Sequence, residues 1–380
     1  MQWYRELRRS WRDARAFKQS SATLRRLVFY AENGGSWPHL GPIVRCLAEK
    51  HELPVSYLTS DINDYNLAHP LDNMNSYYIG EGHVRTLIFR GMQANFFIMT
   101  MPDLHNFQIK RSPYPVHYVY LFHSIVSTHM IYREAAFDHF DTIFCVGSHH
   151  EEEIKTTEEK YGLPAKTLFR HGYPRLDNIL DEISREPPPT TNKETRILLA
   201  PSWGPNGILE TCGDTLVGQL LKAGFHVTVR PHPMTRKLSG HRLKNLNELF
   251  AAHQNYAFEE NVASTETLRR SSLMISDWSG AALEFAFSRE RPVLFIDVTR
   301  KINNPRWQDI NIEPIEASIR NEIGTILDPN QLSKAPEYVT DLIERKNEYR
   351  VSIQKARDRY IFNLGNSAIV AADYLAELVR

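Results

Sequence analysis

The amino-acid sequence predicts two doubly wound α/β domains, and three observations lead to that prediction. Short apolar runs rich in β-branched and aromatic residues alternate with helical patterns, which is typical of parallel sheets covered by helices. The alternation restarts after the segment EPPPTTNKET (186–195), which lacks periodicity and is rich in turn formers. The chain of 380 residues is also too long for one ordinary core.

The first 22 residues predict a basic amphipathic helix ahead of the first domain. Trp3, Leu7, Trp11 and Ala14 recur at helical spacing, and Tyr4 lies close to that stripe. Basic side chains crowd the remaining surface, namely Arg5, Arg8, Arg9, Arg12, Arg15 and Lys18. Such a helix can lie on an anionic membrane through residues 1–20, where each basic residue adds about 1 kcal/mol of attraction. It can equally pack its aromatic stripe on the body of the protein.

The first domain is predicted to span residues 23–190. Its strand-like runs are RLVFYAE, PVSYLTS, FFIMTM, VHYVYLF and TIFCVGS, and a helix is predicted over 38–50. Between the first run and that helix lies a loop of small residues that can bring the backbone close to a ligand, formed by Asn33, Gly34, Gly35 and Ser36. His123 follows the fourth run.

The second domain is predicted over residues 191–345, where the same pattern returns. Its runs are RILLAPSW, HVTVRPHP, LMISDWSG and PVLFIDV, with helices between them. The final stretch, 346–380, reads as helices that could cap this domain or fold back across the first.

Polar side chains follow the predicted strands, and in doubly wound sheets ligands bind at the carboxyl ends of strands. We expect the two domains to face each other across a cleft that these side chains line. They are His123 in the first domain and Ser202, Trp203, Arg230, His232, Ser276, Asp277, Ser279 and Gly280 in the second. A helix is predicted to begin at Ser276, where its N–H groups and capping hydroxyls would form an anion site.

Each of these signals also has an ordinary explanation. Asp277 and Ser279 are normal N-caps for a helix of any protein, and His232 between two prolines fits a rigid turn. His123 at the end of an aromatic strand fits a core imidazole. The order and spacing of the whole set therefore carry more weight than any single motif.

Composition excludes several classes of function. Lys and Arg number 45 against 45 Asp and Glu, so a broad basic face for nucleic acid is not expected. The three cysteines lack CxxC spacing, which argues against a disulfide framework or a zinc site. Neither a membrane-spanning run nor a secretory signal pattern is present, so we expect a cytoplasmic chain.

Five segments together resemble the CDP-glycerol glycerophosphotransferase family, the teichoic acid primases and polymerases. They are YLFHSIVSTHMIYREAAFDHFDTIFCVGSHHEEEI, RHGYPRLD, LLAPSWG, TVRPHP and ISDWSGAALEFAFSRERPVLFID, within residues 118–297. The resemblance implies two Rossmann-like domains of the GT-B type. It also implies transfer of an alditol phosphate, foremost glycerol phosphate, from a CDP-activated donor to a hydroxyl of a lipid-linked or cell-envelope glycan, with release of CMP. The expected location is peripheral, at the inner face of the cell membrane.

The resemblance also implies roles for individual residues. His123 falls at the family's first histidine, and we expect it to act as general base because a neutral imidazole titrates near cellular pH. His232 matches the second histidine and, with Arg230, is expected to stabilise the pyrophosphate. The SDWS segment, with Ser202 and Trp203, is expected to bind the donor phosphates, and Glu284 its ribose. The loop from Asn33 to Ser36 is placed on the acceptor side.

Departures from the family pattern occur at Ser124, Ile125, Gly280 and Glu284, and they leave the identity of the alditol open. No resident cofactor or metal is expected, because no DxD-like acidic pair follows a strand, although a loosely held divalent cation is compatible with the sequence. Two alternatives stay open. One is a GT-B glycosyltransferase or epimerase-like protein that uses a sugar nucleotide, and the other is a membrane-docked protein that binds a nucleotide without turnover.

Overall fold

The computed structural model describes residues 2–106, 109–185, 194–261 and 264–379, and the chain divides into two compact units. The first unit comprises Met1–His123, Tyr132–Asp177 and Ile361–Arg380. The second comprises Ser124–Ile131 and Asn178–Tyr360. The predicted linker at 186–195 falls mostly on residues 186–193, which lie outside the described residues, so the boundary near residue 190 stays a prediction.

A parallel sheet forms the centre of the first unit. In its described residues seven strands pair in the order β3-β2-β1-β4-β5-β6-β7. The strands are β1 (Leu27–Ala31), β2 (Val55–Thr59), β3 (Met74–Tyr78), β4 (Phe96–Met99), β5 (His117–Leu121), β6 (Thr142–Cys145) and β7 (Thr167–Arg170). Because β1, β2 and β5 are buried almost throughout, they lack the alternating pattern of half-exposed strands.

Helices cover this sheet and supply its core. They are α1 (Gln2–Gln19), α2 (Trp37–Arg45, continued by a π-type turn to Lys50), α3 (His83–Arg90), α5 (Ser148–Tyr161), the start of α6 (Pro174–Arg185) and α16 (Ser367–Val379). Leu40 and Val44 of α2 pack with Leu375 of α16 against the sheet. Asp177 accepts hydrogen bonds from the backbone N–H groups of Gly365 and Ser367, which fixes the beginning of α16 in this unit.

The second unit repeats the plan with a second parallel sheet. Six strands of its described residues pair in the order β10-β9-β8-β11-β12-β13. They are β8 (Arg196–Leu199), β9 (His226–Val229), β10 (Tyr256–Phe258), β11 (Leu273–Ser276), β12 (Val293–Ile296) and β13 (Gly324–Leu327). Two parallel-sheet α/β domains, as predicted from the alternation, are thereby confirmed.

The helices of the second unit flank its sheet. They are α4 (Thr128–Ile131), α7 (Ile208–Thr211), α8 (Gly213–Lys222), α9 (Pro233–Phe250), α10 (Glu266–Arg270), α11 (Gly280–Arg289), α12 (Ile315–Ser318), α13 (Arg320–Ile323), α14 (Ala335–Glu344) and α15 (Lys346–Tyr360). Leu216 and Leu220 of α8 and Val339 of α14 join Ile275 and Leu294 of the sheet in one apolar core. This core holds the strand ends in place, and the loops that follow them carry the polar side chains.

Helix α1 packs on the first unit through a stripe that shares Ala14 with the predicted one but leaves its tryptophans out. Ala14 and Phe17 are buried, Phe17 contacts the Tyr77 ring edge-on at 5.6 Å, and Asp13 accepts a hydrogen bond from the Tyr78 N–H at 3.2 Å. These contacts cover the edge strand β3, whose N–H groups would otherwise be open to pairing. The large aromatic side chains of the predicted stripe are left exposed, with Trp3 at 72%, Tyr4 at 58% and Trp11 at 51%.

None of the described helices combines the length and the apolar character needed to cross a bilayer.

Candidate functional site

Asp277 organises the loops at the carboxyl edge of the second sheet. It follows β11 and is 1% exposed. One of its carboxylate oxygens accepts the Ser202 N–H at 2.6 Å, and the other accepts the Ile208 N–H at 3.4 Å. Asp277 therefore fixes the loop between β8 and α7, and it is not the N-cap of the helix that follows it.

The helix expected to begin at Ser276 begins at Gly280. Ser276 is the last residue of β11, where it pairs with Phe295 of β12, and its buried hydroxyl donates to the Ala200 carbonyl at 2.8 Å. The helix α11 instead takes Ser279 as its N-cap, because the Ser279 hydroxyl accepts from the Ala281 N–H at 3.3 Å. The sequence prediction was wrong by four positions because strand pairing carries the chain through Ser276.

Trp203, His232 and Arg230 lie on neighbouring loops of the same unit. The Trp203 and His232 ring centroids are 6.0 Å apart. His232 is the N-cap of α9, and its Nδ1 accepts from the Met234 N–H at 3.1 Å, so the proton of a neutral ring sits on Nε2. The Arg230 Nε donates to Glu259 at 2.8 Å, and both side chains are largely buried. Glu259 was not singled out in the sequence, and it balances much of the charge assigned to Arg230.

Lys301 was missed by the sequence reasoning. It lies in the loop after β12, and its Nζ stands 4.0 Å from the centroid of the Trp203 ring. Burial lowers the pKa of Lys301 to about 8, although Asp277 and Glu210 nearby oppose that shift. Inspection of the polar residues after each strand could have found it, because Lys301 follows PVLFIDV as His232 follows HVTV.

Trp278 is held between two guanidinium groups. Its Nε1 donates to the Val298 carbonyl at 2.9 Å. Arg320, which is 2% exposed, places its Cζ 3.4 Å from the Trp278 ring centroid, and Arg300 approaches to 5.2 Å. Arg320 also donates to Asp297 at 2.9 Å. The indole in the middle of the SDWS segment is thus a fixed structural element.

Gly280 leaves room for Ser124 at the first turn of α11. A Cβ at position 280 would overlap the Ser124 Oγ and come within 3.3 Å of Val126. The segment that carries Ser124 is anchored in this unit, because Glu316 accepts both the N–H and the hydroxyl of Ser127, at 2.9 and 2.6 Å. The departures noted at positions 124 and 280 are therefore in direct contact.

His123 lies in the first unit, where its ring is oriented by the backbone. Its Nδ1 is 3.1 Å from the Thr100 carbonyl oxygen, which can only accept, so Nδ1 carries the proton. The lone pair of the neutral ring is consequently on Nε2. The Tyr173 hydroxyl donates to the His123 carbonyl at 3.0 Å, and this hydrogen bond holds the backbone just after β5. The side chain is exposed, unlike the core imidazole considered as an alternative.

His39 of α2 is a second imidazole in this unit that sequence reasoning missed. Its ring centroid is 6.3 Å from that of His123 and 5.4 Å from that of Tyr173. Burial, followed by the nearby charges of Arg175 and His123, lowers the pKa of His39 well below its usual range. His39 is therefore neutral at cellular pH. A single histidine on an apolar helix gave no sequence signal for this position.

The loop from Asn33 to Ser36 lies after β1, as predicted. The Asn33 side chain accepts the Gly35 N–H at 2.8 Å, and Asp61 accepts the Gly34 N–H at 3.3 Å. Ser36 is buried, and its hydroxyl accepts a hydrogen bond from that of Thr100 at 3.4 Å. Because Thr100 also binds the His123 ring, this loop and His123 share one neighbour.

Glu284 lies on α11, one turn beyond Gly280, and is 9% exposed. Within the described ranges no cluster of three His, Cys, Asp or Glu side chains is arranged to hold a metal ion. The expectations that Glu284 contacts a ribose and that no metal is required both stay predictions.

Comparison with known proteins gives one family match. The model of the CDP-glycerol:poly(glycerophosphate) glycerophosphotransferase family matches residues 125–302, a little under half of the chain. That range includes the strand-end loops from Ser202 to Lys301, and Ser124, Glu316 and Arg320 lie outside it. A search of curated protein sequences gives no match.

Solved structures with the same fold share little sequence with this chain. A histidine-to-asparagine variant of the wall teichoic acid polymerase TagF, soaked with CDPG, superposes with a TM-score of 0.62 at 12% identity, covering 98% of this chain and 94% of that one. The Methanocaldococcus jannaschii UDP-GlcNAc 2-epimerase in complex with UDP-GlcNAc and UDP gives 0.56 at 14% identity, covering 93% and 99%. A co-structure of S. aureus MnaA with UDP gives 0.57 at 10% identity, covering 91% and 95%. These likenesses confirm a GT-B-like fold.

Proposed function

We propose that this chain, which over residues 125–302 belongs to the CDP-glycerol:poly(glycerophosphate) glycerophosphotransferase family, transfers glycerol phosphate from CDP-glycerol to a hydroxyl of a lipid-linked or cell-envelope glycan. CMP is the second product. The observation that carries the proposal is that the family match coincides with the polar loops at the carboxyl edge of the second sheet. The TagF structure soaked with CDPG supports the choice of donor.

The chemistry is a phosphotransfer in which one P–O bond replaces another. The acceptor oxygen attacks the phosphorus that carries the glycerol, the bond from that phosphorus to CMP breaks, and the acceptor proton passes to a base. We assign the base to His123, because its Nδ1–H is held by the Thr100 carbonyl and the lone pair of the neutral ring is therefore on Nε2. Burial keeps the neighbouring His39 neutral, so the His39 imidazole adds no positive charge beside His123.

Donor binding is assigned to the second unit. His232 with its Nε2–H, together with the charge of Arg230, is proposed to stabilise the diphosphate and the departing CMP. Ser279 and the first turn of α11 offer N–H donors to phosphate oxygens. Ser202, Ser276 and Asp277 act by shaping these loops, because the Ser202 N–H donates to Asp277 and the Ser276 hydroxyl donates to the Ala200 carbonyl. Glu284 is proposed to accept hydrogen bonds from the ribose.

The acceptor side is assigned to the loop from Asn33 to Ser36 in the first unit. We propose that the acceptor is presented at a membrane, because α1 exposes Trp3, Tyr4 and Trp11 among basic side chains. Trp and Tyr favour the headgroup region, and Arg and Lys are attracted to anionic lipids. Exposed aromatic rings that the protein body does not cover fit this role better than a helix used only for packing.

No cofactor enters the proposed reaction. The countercharge for the diphosphate is proposed to come from Arg230, His232 and the amides of α11, while a divalent cation brought by the nucleotide is compatible with these groups.

The proposal is tested by incubating the protein with CDP-glycerol and a lipid-linked glycan and measuring CMP by chromatography. We expect acceptor-dependent CMP release. His123→Asn keeps a side-chain donor for the Thr100 carbonyl but removes Nε2, so we expect a rate lower by about 10²- to 10⁴-fold.

His69→Asn is the matched control, because His69 is an exposed histidine of the same unit that stacks on Tyr65 at 4.5 Å. Its rate should equal that of the wild type. An unchanged rate for His123→Asn in an active preparation would remove His123 from the role of base. Release of UDP from a sugar nucleotide, with none of CMP from CDP-glycerol, would replace the proposed function by glycosyl transfer.

A further inference from the structure

Lys301 has an unusual environment for a lysine. Its ammonium faces the Trp203 ring at 4.0 Å, and among the described residues it has neither a hydrogen bond nor an ion pair. Most lysines keep the ammonium in water, because removing it from water without an acceptor costs free energy. The Lys301 side chain is half-buried, and an ammonium that lies over an aromatic ring without an ion pair can donate hydrogen bonds to an anionic ligand.

Two carboxylates, those of Asp277 and Glu210, lie near Lys301 without forming an ion pair with it. Asp277 gives its two oxygens to the N–H groups of Ser202 and Ile208. Glu210 on α7 approaches closely enough to raise the pKa of Lys301, but it forms no ion pair with it. Across the Trp203 ring lies His232, the N-cap of α9. Asp277 and Glu210 thus act on Lys301 by proximity, and in the described part of the chain its ammonium is paired with neither carboxylate.

We propose that Lys301 and Trp203 form a phosphate subsite that binds the diphosphate of a cytidine diphosphate-linked donor, with the Lys301 ammonium donating to its oxygens. The inference rests on the proposed function for the identity of the donor. Arg230, the cation that the sequence pointed to, already donates to Glu259, whereas Lys301 is uncommitted. Lys301 therefore offers charge-assisted hydrogen bonds in addition to those of Arg230.

Burial adds a pH dependence to this subsite. It lowers the pKa of the Lys301 ammonium to about 8, so the unliganded lysine loses its proton as the pH rises through that value. A bound anion favours the charged form. Affinity for the donor should consequently decline above about pH 8, because binding then requires uptake of a proton.

Binding of CDP-glycerol, CDP and cytidine to the full-length protein is measured by titration calorimetry at pH 7.5 and at pH 9.5. Lys301→Gln should bind CDP and CDP-glycerol about 10- to 100-fold more weakly than the wild type, and cytidine equally well, because cytidine carries no phosphate. Lys301→Arg keeps its positive charge at both pH values, so its affinity for the donor should not decline between pH 7.5 and pH 9.5. Lys244→Gln is the control, an exposed lysine of the same unit near Glu248.

Several outcomes decide the matter. The subsite would be overturned if Lys301→Gln bound CDP as tightly as the wild type does. It would also be overturned if Lys301→Gln lost as much affinity for cytidine as for CDP. Absence of nucleoside diphosphate binding by the folded wild type would overturn it as well. If instead the wild type ignores CDP-glycerol but binds UDP or a UDP-sugar, and Lys301→Gln weakens that binding, the phosphate subsite stands while the proposed function fails.

Discussion

The contact between Gly280 and Ser124 gives a sharp prediction about the first turn of α11. A methyl group at position 280 would overlap the Ser124 Oγ, so Gly280→Ala should destabilise the second unit. The overlap is with a single hydroxyl oxygen, and Ser124→Ala removes that atom. The double variant should therefore recover most of the stability that Gly280→Ala loses.

Overpacking of this kind typically costs about 1–3 kcal/mol. Alanine in a helix is otherwise favoured over glycine by about 1 kcal/mol, so the double variant could reach or exceed wild-type stability. For a unit of this size, each kcal/mol corresponds to about 2–4 °C in the melting temperature. The single variant should thus melt about 2–12 °C below the wild type.

The assay is thermal unfolding of the wild type, both single variants and the double variant under identical conditions. Gly218→Ala is the control, because a Cβ at Gly218 of α8 would meet the Phe250 ring at an ordinary 3.7 Å. That variant should be unchanged or more stable. If the effects of Ser124→Ala and Gly280→Ala add to within about 0.5 kcal/mol, the two side chains are not in contact and the reasoning is refuted.

Two further predictions follow from the described contacts. Asp277→Asn weakens the hydrogen bond to the Ser202 N–H and should lower the free energy of unfolding, measured in urea, by about 1.5–3 kcal/mol. An unchanged urea midpoint would contradict the role of Asp277 in holding the loop. Replacing Trp3 and Trp11 together by serine should weaken sedimentation with anionic liposomes by at least about tenfold, because two exposed indoles are removed. The control Tyr65→Ser, at another exposed aromatic residue of the unit, should bind liposomes normally.

The sheets could be predicted from the sequence except at their edges. The buried inner strands β1, β2, β5, β8 and β11 appear as continuous apolar runs. The four strands that were not predicted, β3, β7, β10 and β13, are the outer strands of the two sheets. β3, for example, reads MNSYY and is buried only at its ends, so it lacks the apolar signal of an inner strand. Edge strands are recognised through their pairing partners, which a local pattern does not contain.

The candidate site was predictable where a polar residue follows a strand, and not where the contact is long-range. Asp277 and His232 were found by their positions, but the partners of Asp277 lie about 70 residues earlier in the chain and are visible only in the fold. Gly280 looked like a simple departure from a family pattern until its contact with Ser124 was known. Lys301 was missed because a single lysine in a polar loop is ordinary, and its burial is a property of the folded protein.

Transfer of phosphorus from the donor tests the central claim most directly. CDP-glycerol labelled with ³²P on the phosphorus next to glycerol and with ³H in the glycerol is supplied together with the lipid-linked acceptor. We predict that both labels enter the acceptor in equal amounts while unlabelled CMP is released. Recovery of the ³²P on a nucleotide diphosphate would contradict phosphotransfer, whether or not the tritium reaches the acceptor.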